Sequence, residues 1–203
     1  TGKEPFTHHY FVDEDTDCIE ALKSRVKRRY PKACVWYWAE DCNTAATQIV
    51  REIPDRALCL AFIDPTSAQI HMQTIATLAS NRRVDLLINF PQHMAIQRII
   101  NLPSSWRTLD LYFGTSGWQA VYDRARTQGQ PWLDALREFY KERLTVLGYE
   151  APSFGDQLIR SQRRRPLYYL LYASKHERGI EFWQKITERD HMGQKDLLGP
   201  ISE

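Results

Sequence analysis

The sequence predicts an α/β fold, a parallel Rossmann-like sheet with helices on both faces. Short β-branched and aromatic runs alternate with stretches of helical apolar periodicity. One run, "ALCLAFI" (57–63), is continuous in apolarity, as strands covered on both faces are. Every run ends in a polar turn that can open the next helix. Strands joined through helices pair in parallel, and such sheets bind ligands at the carboxyl ends of their strands.

"HYFVD" (9–13) is the first expected strand, and "DCIEALKSRVKRRY" puts Cys18, Ile19, Leu22, Val26 and Tyr30 on one helical face. Asp17 followed by Glu20 has the form of a capping box at that helix start. "CVWYWA" (34–39) is the second strand, and Asn43 is the expected cap of a helix with Ala46, Ile49, Val50 and Ile53 inward. After the third strand, a helix is expected from about Ser67 to Ala79 with Ile70, Ile75, Leu78 and Ala79 inward. "VDLLINF" (84–90) is the fourth strand, and Met94, Ile96, Ile99 and Ile100 belong to the helix after Pro91.

From Leu102 to Arg165 no strand is expected. "GWQAVYDRAR" and "PWLDALREFYKERLTVLG" read as helices, the second with Pro131 in its first turn and Gly148 as its stop. "PLYYLLYAS" (166–174) is a final strand before a helix carrying Ile180, Trp183 and Ile186. The expected organisation is a cofactor-binding core over 1–101, a helical insert over 102–165, a last core strand and helix over 166–189, and a polar tail over 190–203.

At 203 residues, with 43% apolar and 26% charged residues, the chain can bury one full core. A net charge of +2 neither demands nor excludes a nucleic-acid partner. Cys18, Cys34, Cys42 and Cys59 form no CxxC pair and are expected to be buried free thiols. No signal peptide is visible and no apolar run approaches the roughly 20 residues of a membrane span, so a cytoplasmic protein with no membrane contact is expected.

The strands end in "VDED", "AEDCN", "IDPTS" and "INFPQ". Helix capping explains any one acidic turn, since a carboxylate there gains about 0.3–1 kcal/mol from the helix dipole. Four polar turns on one sheet edge together suggest a site. Asp13 or Asp15, after the first of these strands, suits a ribose diol. Asp64 and Pro65 follow a buried strand, where Pro stiffens the exit and the carboxylate or a nearby carbonyl can face a substrate amine. Asn89, Phe90 and Pro91 repeat that pattern one strand later.

"HHYFVDED", "AEDCN", "LAFIDPTS", "VDLLINFPQ" and "RPLYYLLYASKHERGIEFWQKI" resemble, in order and spacing, the three-Cys-motif partner proteins, a bacterial and phage family with a class I methyltransferase-like fold. The resemblance implies that the Asp13/Asp15 turn binds the ribose of S-adenosylmethionine, that Asp41 and Cys42 border its adenine, and that Asp64 and Pro65 form the catalytic turn. It also implies a radical-SAM-like three-Cys-motif protein as partner. Amino-methyltransferases usually carry Asp or Asn, two prolines and an aromatic at that turn. Here Thr66 and Ser67 follow Pro65, so Phe90 is expected to supply the stacking ring.

Such enzymes also carry a glycine-rich loop after a central first strand, because the cofactor lies against bare backbone. No glycine occurs between Lys3 and Phe113. An upstream strand and glycine loop are therefore expected to be missing from this chain, and "HYFVD" and "ALCLAFI" are expected not to pair directly.

Two other functions fit the same turns. Asp13, Asp15, Asp41 and Asp64 together suit Mg²⁺ in a nuclease or phosphotransferase. A catalytically inactive, methyltransferase-like adaptor subunit would also keep the fold. Of the two dense basic runs, "KSRVKRRYPK" follows helical periodicity and reads as a solvated face. Arg163, Arg164 and Arg165 do not, and are the candidates for phosphate contacts, with Asn89 beside the substrate. His8 and His9 have no second ligand pair, so no metal site is expected. Trp36, Trp38, Trp132 and Trp183 read as packing residues. Ser174, Lys175 and His176 match the family motif, and either substrate contact or turn formation accounts for them.

Overall fold

The computed structural model describes residues 6–80, 83–150 and 156–187. The expected tail over 190–203 lies outside them. The chain divides into two units, Thr1–Asp55 and Arg56–Glu203. The described residues form a mixed α/β structure with two sheets and eight α-helices. Among them no helix is long and apolar enough to cross a membrane.

The first unit runs β1 (His8–Asp13), α1 (Thr16–Arg29), β2 (Cys34–Ala39) and α2 (Cys42–Glu52). β1 and β2 pair in parallel, with His8 opposite Cys34 and Asp13 opposite Ala39. Alternation along the strands builds an aromatic ladder on one face. His8 and Tyr10 stack on Trp36 at 5.3 and 5.1 Å, and Tyr10 stacks on Trp38 at 6.0 Å. Phe11 stacks on Tyr37 at 6.1 Å on the opposite face. Both tryptophans expected to pack therefore do, and His8 is a packing residue.

The cap of α1 is Asp15 rather than the Asp17/Glu20 box, because Asp15 Oδ1 accepts from the N–H groups of Asp17 and Cys18 at 2.8 and 3.2 Å. Asp41 rather than Asn43 caps α2, accepting from Asn43 N–H at 2.5 Å. Cys18, Cys34 and Cys42 are exposed and Cys59 is half-buried, against the expectation of buried thiols.

The second unit begins with β3 (Leu58–Ile63), α3 (Met72–Ala79) and β4 (Arg83–Phe90). A π-turn (Gln92–Ile96) leads into the short α4 (Gln97–Ile99), followed by α5 (Trp106–Phe113), α6 (Trp118–Thr127) and α7 (Trp132–Val146). β5 (Gln157–Arg160), β6 (Pro166–Ala173) and α8 (Glu177–Thr187) complete it. The sheet order is β3-β4-β6-β5, with β3 parallel to β4 and β6 antiparallel to both of its neighbours.

Val84, Leu86, Ile88 and Phe90 alternate along β4 into a core completed by Ile75, Tyr112, Phe113, Trp118, Tyr140 and Leu171. Each fully buried side chain of this size contributes about 1.5–3 kcal/mol. α7 stops in a Schellman motif. Gly148, at φ 88°, donates to Thr145 O at 2.9 Å and Tyr149 donates to Leu144 O at 3.4 Å.

Three expectations are corrected in this unit. The helix expected from Ser67 starts only at Met72, and Ala68 and Ile70 are buried from a loop instead. The region 102–165 contains a strand, β5, which its hairpin with β6 stabilises. β3 is not covered on both faces: Leu58, Leu60 and Phe62 point the same way and are 78%, 44% and 60% exposed. β1 belongs to the two-stranded sheet of the first unit and β3 to the four-stranded sheet of the second.

Candidate functional site

β3 and β4 run in parallel with Ile63 opposite Ile88, so the next residues, Asp64 and Asn89, are neighbours at the carboxyl end of the sheet. Asn89 Nδ2 donates to Asp64 Oδ1 at 2.6 Å. An ionised carboxylate only accepts, so the amide must present its nitrogen to Asp64 and turn its oxygen away. That oxygen is buried with no partner, on a side chain only 7% exposed. An unmet buried acceptor costs about 1–3 kcal/mol. Asp64 itself is exposed, and Pro65 beside it is half-buried. Asp64 offers an exposed acceptor at this end of the sheet, and the Asn89 oxygen is a buried one.

Phe90 does not join them. Its ring is fully buried, 5.2 Å from Tyr140 and 6.0 Å from Tyr112, so it is a core residue rather than the ring that stacks on a base.

Beyond Pro91 the π-turn buries Gln92, whose Oε1 accepts from Arg137 Nη1 at 2.9 Å. Arg137, on α7, also binds Asp134 at 2.7 Å and Asp156 at 2.9 Å, and lies 3.8 Å over the ring of Tyr169. Lys141 reaches Asp156 at 2.7 Å. Burial opposes the charge on Arg137, but Asp134, Tyr169 and Asp156 outweigh it and hold the guanidinium above its ordinary range. This knot ties β4, α7 and the β5–β6 hairpin together.

In the first unit, Asp13 Oδ1 accepts from Asp15 N–H at 2.9 Å, and Asp15 Oδ1 caps α1. Each carboxylate keeps a second oxygen in an exposed position. Asp41 caps α2, and Cys42 opens that helix. Burial and the Asp41 carboxylate push the Cys42 thiol up, so it is not a ready thiolate.

Arg163, Arg164 and Arg165 sit in the exposed turn of the β5–β6 hairpin. Ser174 is a turn residue: its hydroxyl donates to Asp85 Oδ1 at 2.6 Å, beside Tyr172 OH on Oδ2 at 2.7 Å. Lys175 Nζ donates to Ala79 O at 2.8 Å. His176 N–H donates to Ser174 Oγ at 3.1 Å. These contacts give the three residues a structural role. Trp183 stacks on Tyr172 at 5.0 Å. Among the described residues no three His, Cys, Asp or Glu side chains gather as a metal site requires.

Sequence reasoning missed Gln92, Arg137 and Asp85. Asp85 carried a usable signal, a lone carboxylate inside the apolar run "VDLLINF", which needs buried donors. Arg137 carried none, since its partners Gln92, Asp134 and Asp156 converge only in the fold. Comparison with protein-family models, curated proteins and solved structures finds no match for this chain.

Proposed function

We propose that the chain is an S-adenosylmethionine-dependent, class I methyltransferase of the three-Cys-motif partner family. In this proposal it acts on an amino nitrogen of nucleic acid in the cytoplasm, alongside a radical-SAM-like three-Cys-motif protein. The observation that carries the proposal is the Asp64–Asn89 pair, with its buried, unmet carbonyl oxygen at the carboxyl end of two parallel strands. An exocyclic amine has the donors that this pair lacks. Asp64, its carboxylate fixed by Asn89, would hold the amine and orient its lone pair, and orientation of this kind supplies much of the acceleration in a displacement.

The cofactor supplies an electrophilic methyl group. The residues present are compatible with it, because Asp13 and Asp15 are exposed and each binds the backbone through Oδ1 alone, leaving Oδ2 to face a ribose diol. Asp41 and Cys42 would border the adenine. The strand directions also support the proposal. In the second unit β3 and β4 run in parallel and bring Asp64 and Asn89 to their shared carboxyl end, where α/β sheets bind ligands.

Calorimetric titration with S-adenosylmethionine and S-adenosylhomocysteine in the absence of metal, followed by transfer of labelled methyl to nucleic acid, tests the proposal. Binding and transfer support it. Binding of Mg²⁺ with no binding of either nucleoside rejects it in favour of phosphoryl chemistry.

One observation favours a second function, a methyltransferase-like adaptor. Leu58, Leu60 and Phe62 form an exposed apolar face on the edge strand of the described four-stranded sheet, a surface suited to another polypeptide. Nucleoside binding without methyl transfer, even with the three-Cys-motif partner present, would favour the adaptor.

A further inference from the structure

The β5–β6 hairpin has one face on which Leu158 lies opposite Tyr169 and Arg160 lies opposite Pro166. These four residues line a cleft of about 300 Å³, shared with His93 of the π-turn and Trp132 at the start of α7. Ligand sites run from about 300 to 1,000 Å³, so this one has room for a single ring system. Two of its aromatic walls are fixed in place. Tyr122 meets Trp132 edge-on at 5.1 Å, and Arg137 covers Tyr169 at 3.8 Å.

The charge beside the cleft is predominantly positive, because its one lining carboxylate, Asp134, is paired with Arg137. Arg137 is neutralised by Asp134 and Asp156. Arg160 forms no ion pair with the described residues, and its Nη1 donates to the carbonyl of Arg164 at 3.2 Å. From Gln157 to Ala173 the chain has four arginines and no acidic residue. Three of those arginines are consecutive in the hairpin turn, which Ser161 and Arg164 hold through backbone hydrogen bonds of 2.8 Å. Arg164 takes a left-handed φ of 58°, a conformation unfavourable for a residue other than glycine, and all three side chains stay exposed.

We propose that this cleft holds one unstacked base of a nucleic-acid strand, with Arg160 and the hairpin arginines on the neighbouring phosphates. Aromatic walls next to an unpaired cationic ribbon are the means by which single strands are bound without sequence preference. An acidic peptide would use the arginines and leave the rings idle. A duplex keeps its bases stacked and cannot fill the cleft. The assignment rests on nucleic acid being the methyl acceptor, and names its single-stranded form as the substrate class.

Fluorescence anisotropy of the full chain tests it, with labelled single-stranded DNA, single-stranded RNA and duplex DNA titrated at several salt concentrations without S-adenosylmethionine. The single strands are expected to bind at least tenfold tighter than the duplex, and the DNA and RNA arms identify the natural strand. Trp132→Ala should weaken single-strand binding about tenfold to hundredfold without changing the salt slope. Arg163→Ala/Arg164→Ala/Arg165→Ala should lower the slope of log affinity against log salt by about 2. His93→Ala, at a half-exposed position, provides a second test of the cleft if Trp132→Ala fails to fold, and should also weaken single-strand binding. The proposal is overturned if single strands do not bind at low salt, if duplex binds as well as they do, if the folded cleft variants bind normally, or if polyglutamate competes as well as an oligonucleotide. Oligonucleotide binding without nucleoside binding would keep this site and reject the methyltransferase. The converse result would reject this site alone.

Discussion

Asn89 donates its amide to Asp64 across 2.6 Å, and the price of that contact is a buried carbonyl oxygen with no donor. A fold selected for stability alone has little reason to keep such a group, because an apolar residue of similar shape would remove the cost.

Asn89→Leu should therefore separate stability from activity. Asp64 is exposed and can turn to water, so unfolding in urea should show a loss of less than about 1 kcal/mol, or a gain. Methyl transfer should fall roughly a hundredfold from the lost orientation. Asn89→Asp should behave differently, because two carboxylates at this distance share a proton and the apparent pKa of the pair rises in the folded state. A raised carboxylate pKa means that folding takes up a proton, so the variant should be destabilised at neutral pH and recover as the pH falls. Equal losses for Leu and Asp at pH 7 and in acid would contradict this account.

Much of the fold could be read from the one-dimensional pattern. Strand and helix alternation survives in both units, as does the strand from Pro166. What could not be read depended on facing and on tertiary partners. Phe90 looked available because it ends a strand beside Asn89. Period-two alternation places it with Leu86 and Ile88, on the buried face opposite Asn89. "QLIR" has too few apolar residues to announce a strand, and becomes one only through pairing with β6. Ala68 and Ile70 mimic the start of a helix because their burial comes from neighbouring elements rather than from helical periodicity. The two misassigned caps arose where several acidic or amide residues fall within three positions, so that only backbone geometry selects the acceptor.

Four tyrosines make the second unit sensitive to alkali. Burial pushes the hydroxyls of Tyr112, Tyr140, Tyr149 and Tyr172 above the ordinary tyrosine range. A folded-state pKa above the unfolded value near 10 contributes stability that is complete below about pH 10 and is lost as pH rises toward the folded value. Thermal unfolding should be flat across this boundary from the acid side and drop steeply beyond it. Tyrosinate absorbance from these residues should appear only together with unfolding. Independent titration near pH 10 with the fold intact would contradict their burial.

Arg137 should be the least replaceable cation in the second unit. It satisfies Asp134, Asp156 and Gln92 while its side chain is only 12% exposed. Removing one partner of a buried ion pair costs about 3–5 kcal/mol, and Lys141 on Asp156 softens that here, so Arg137→Ala should lose roughly 2–4 kcal/mol in urea unfolding. Arg137→Lys should recover little, since an ammonium cannot place planar donors on three acceptors or stack on Tyr169. Full recovery by Lys would show that charge alone matters at this position.

Asp15 allows its capping role and its proposed cofactor role to be separated at one residue. Its Oδ1 closes the first turn of α1, and the residue is exposed. Asn caps helices about as well as Asp, whereas Ala loses roughly 0.5–2 kcal/mol. Asp15→Ala should therefore lower the melting temperature and weaken S-adenosylmethionine binding together. Asp15→Asn should keep the melting temperature close to that of the unaltered chain, yet lose about tenfold in nucleoside affinity, the worth of one charge-assisted hydrogen bond of about 1.5 kcal/mol. Calorimetry on both variants beside a thermal scan decides the point. If Asp15→Asn restores stability and affinity alike, the carboxylate is only a cap, and the ribose must be sought at Asp13.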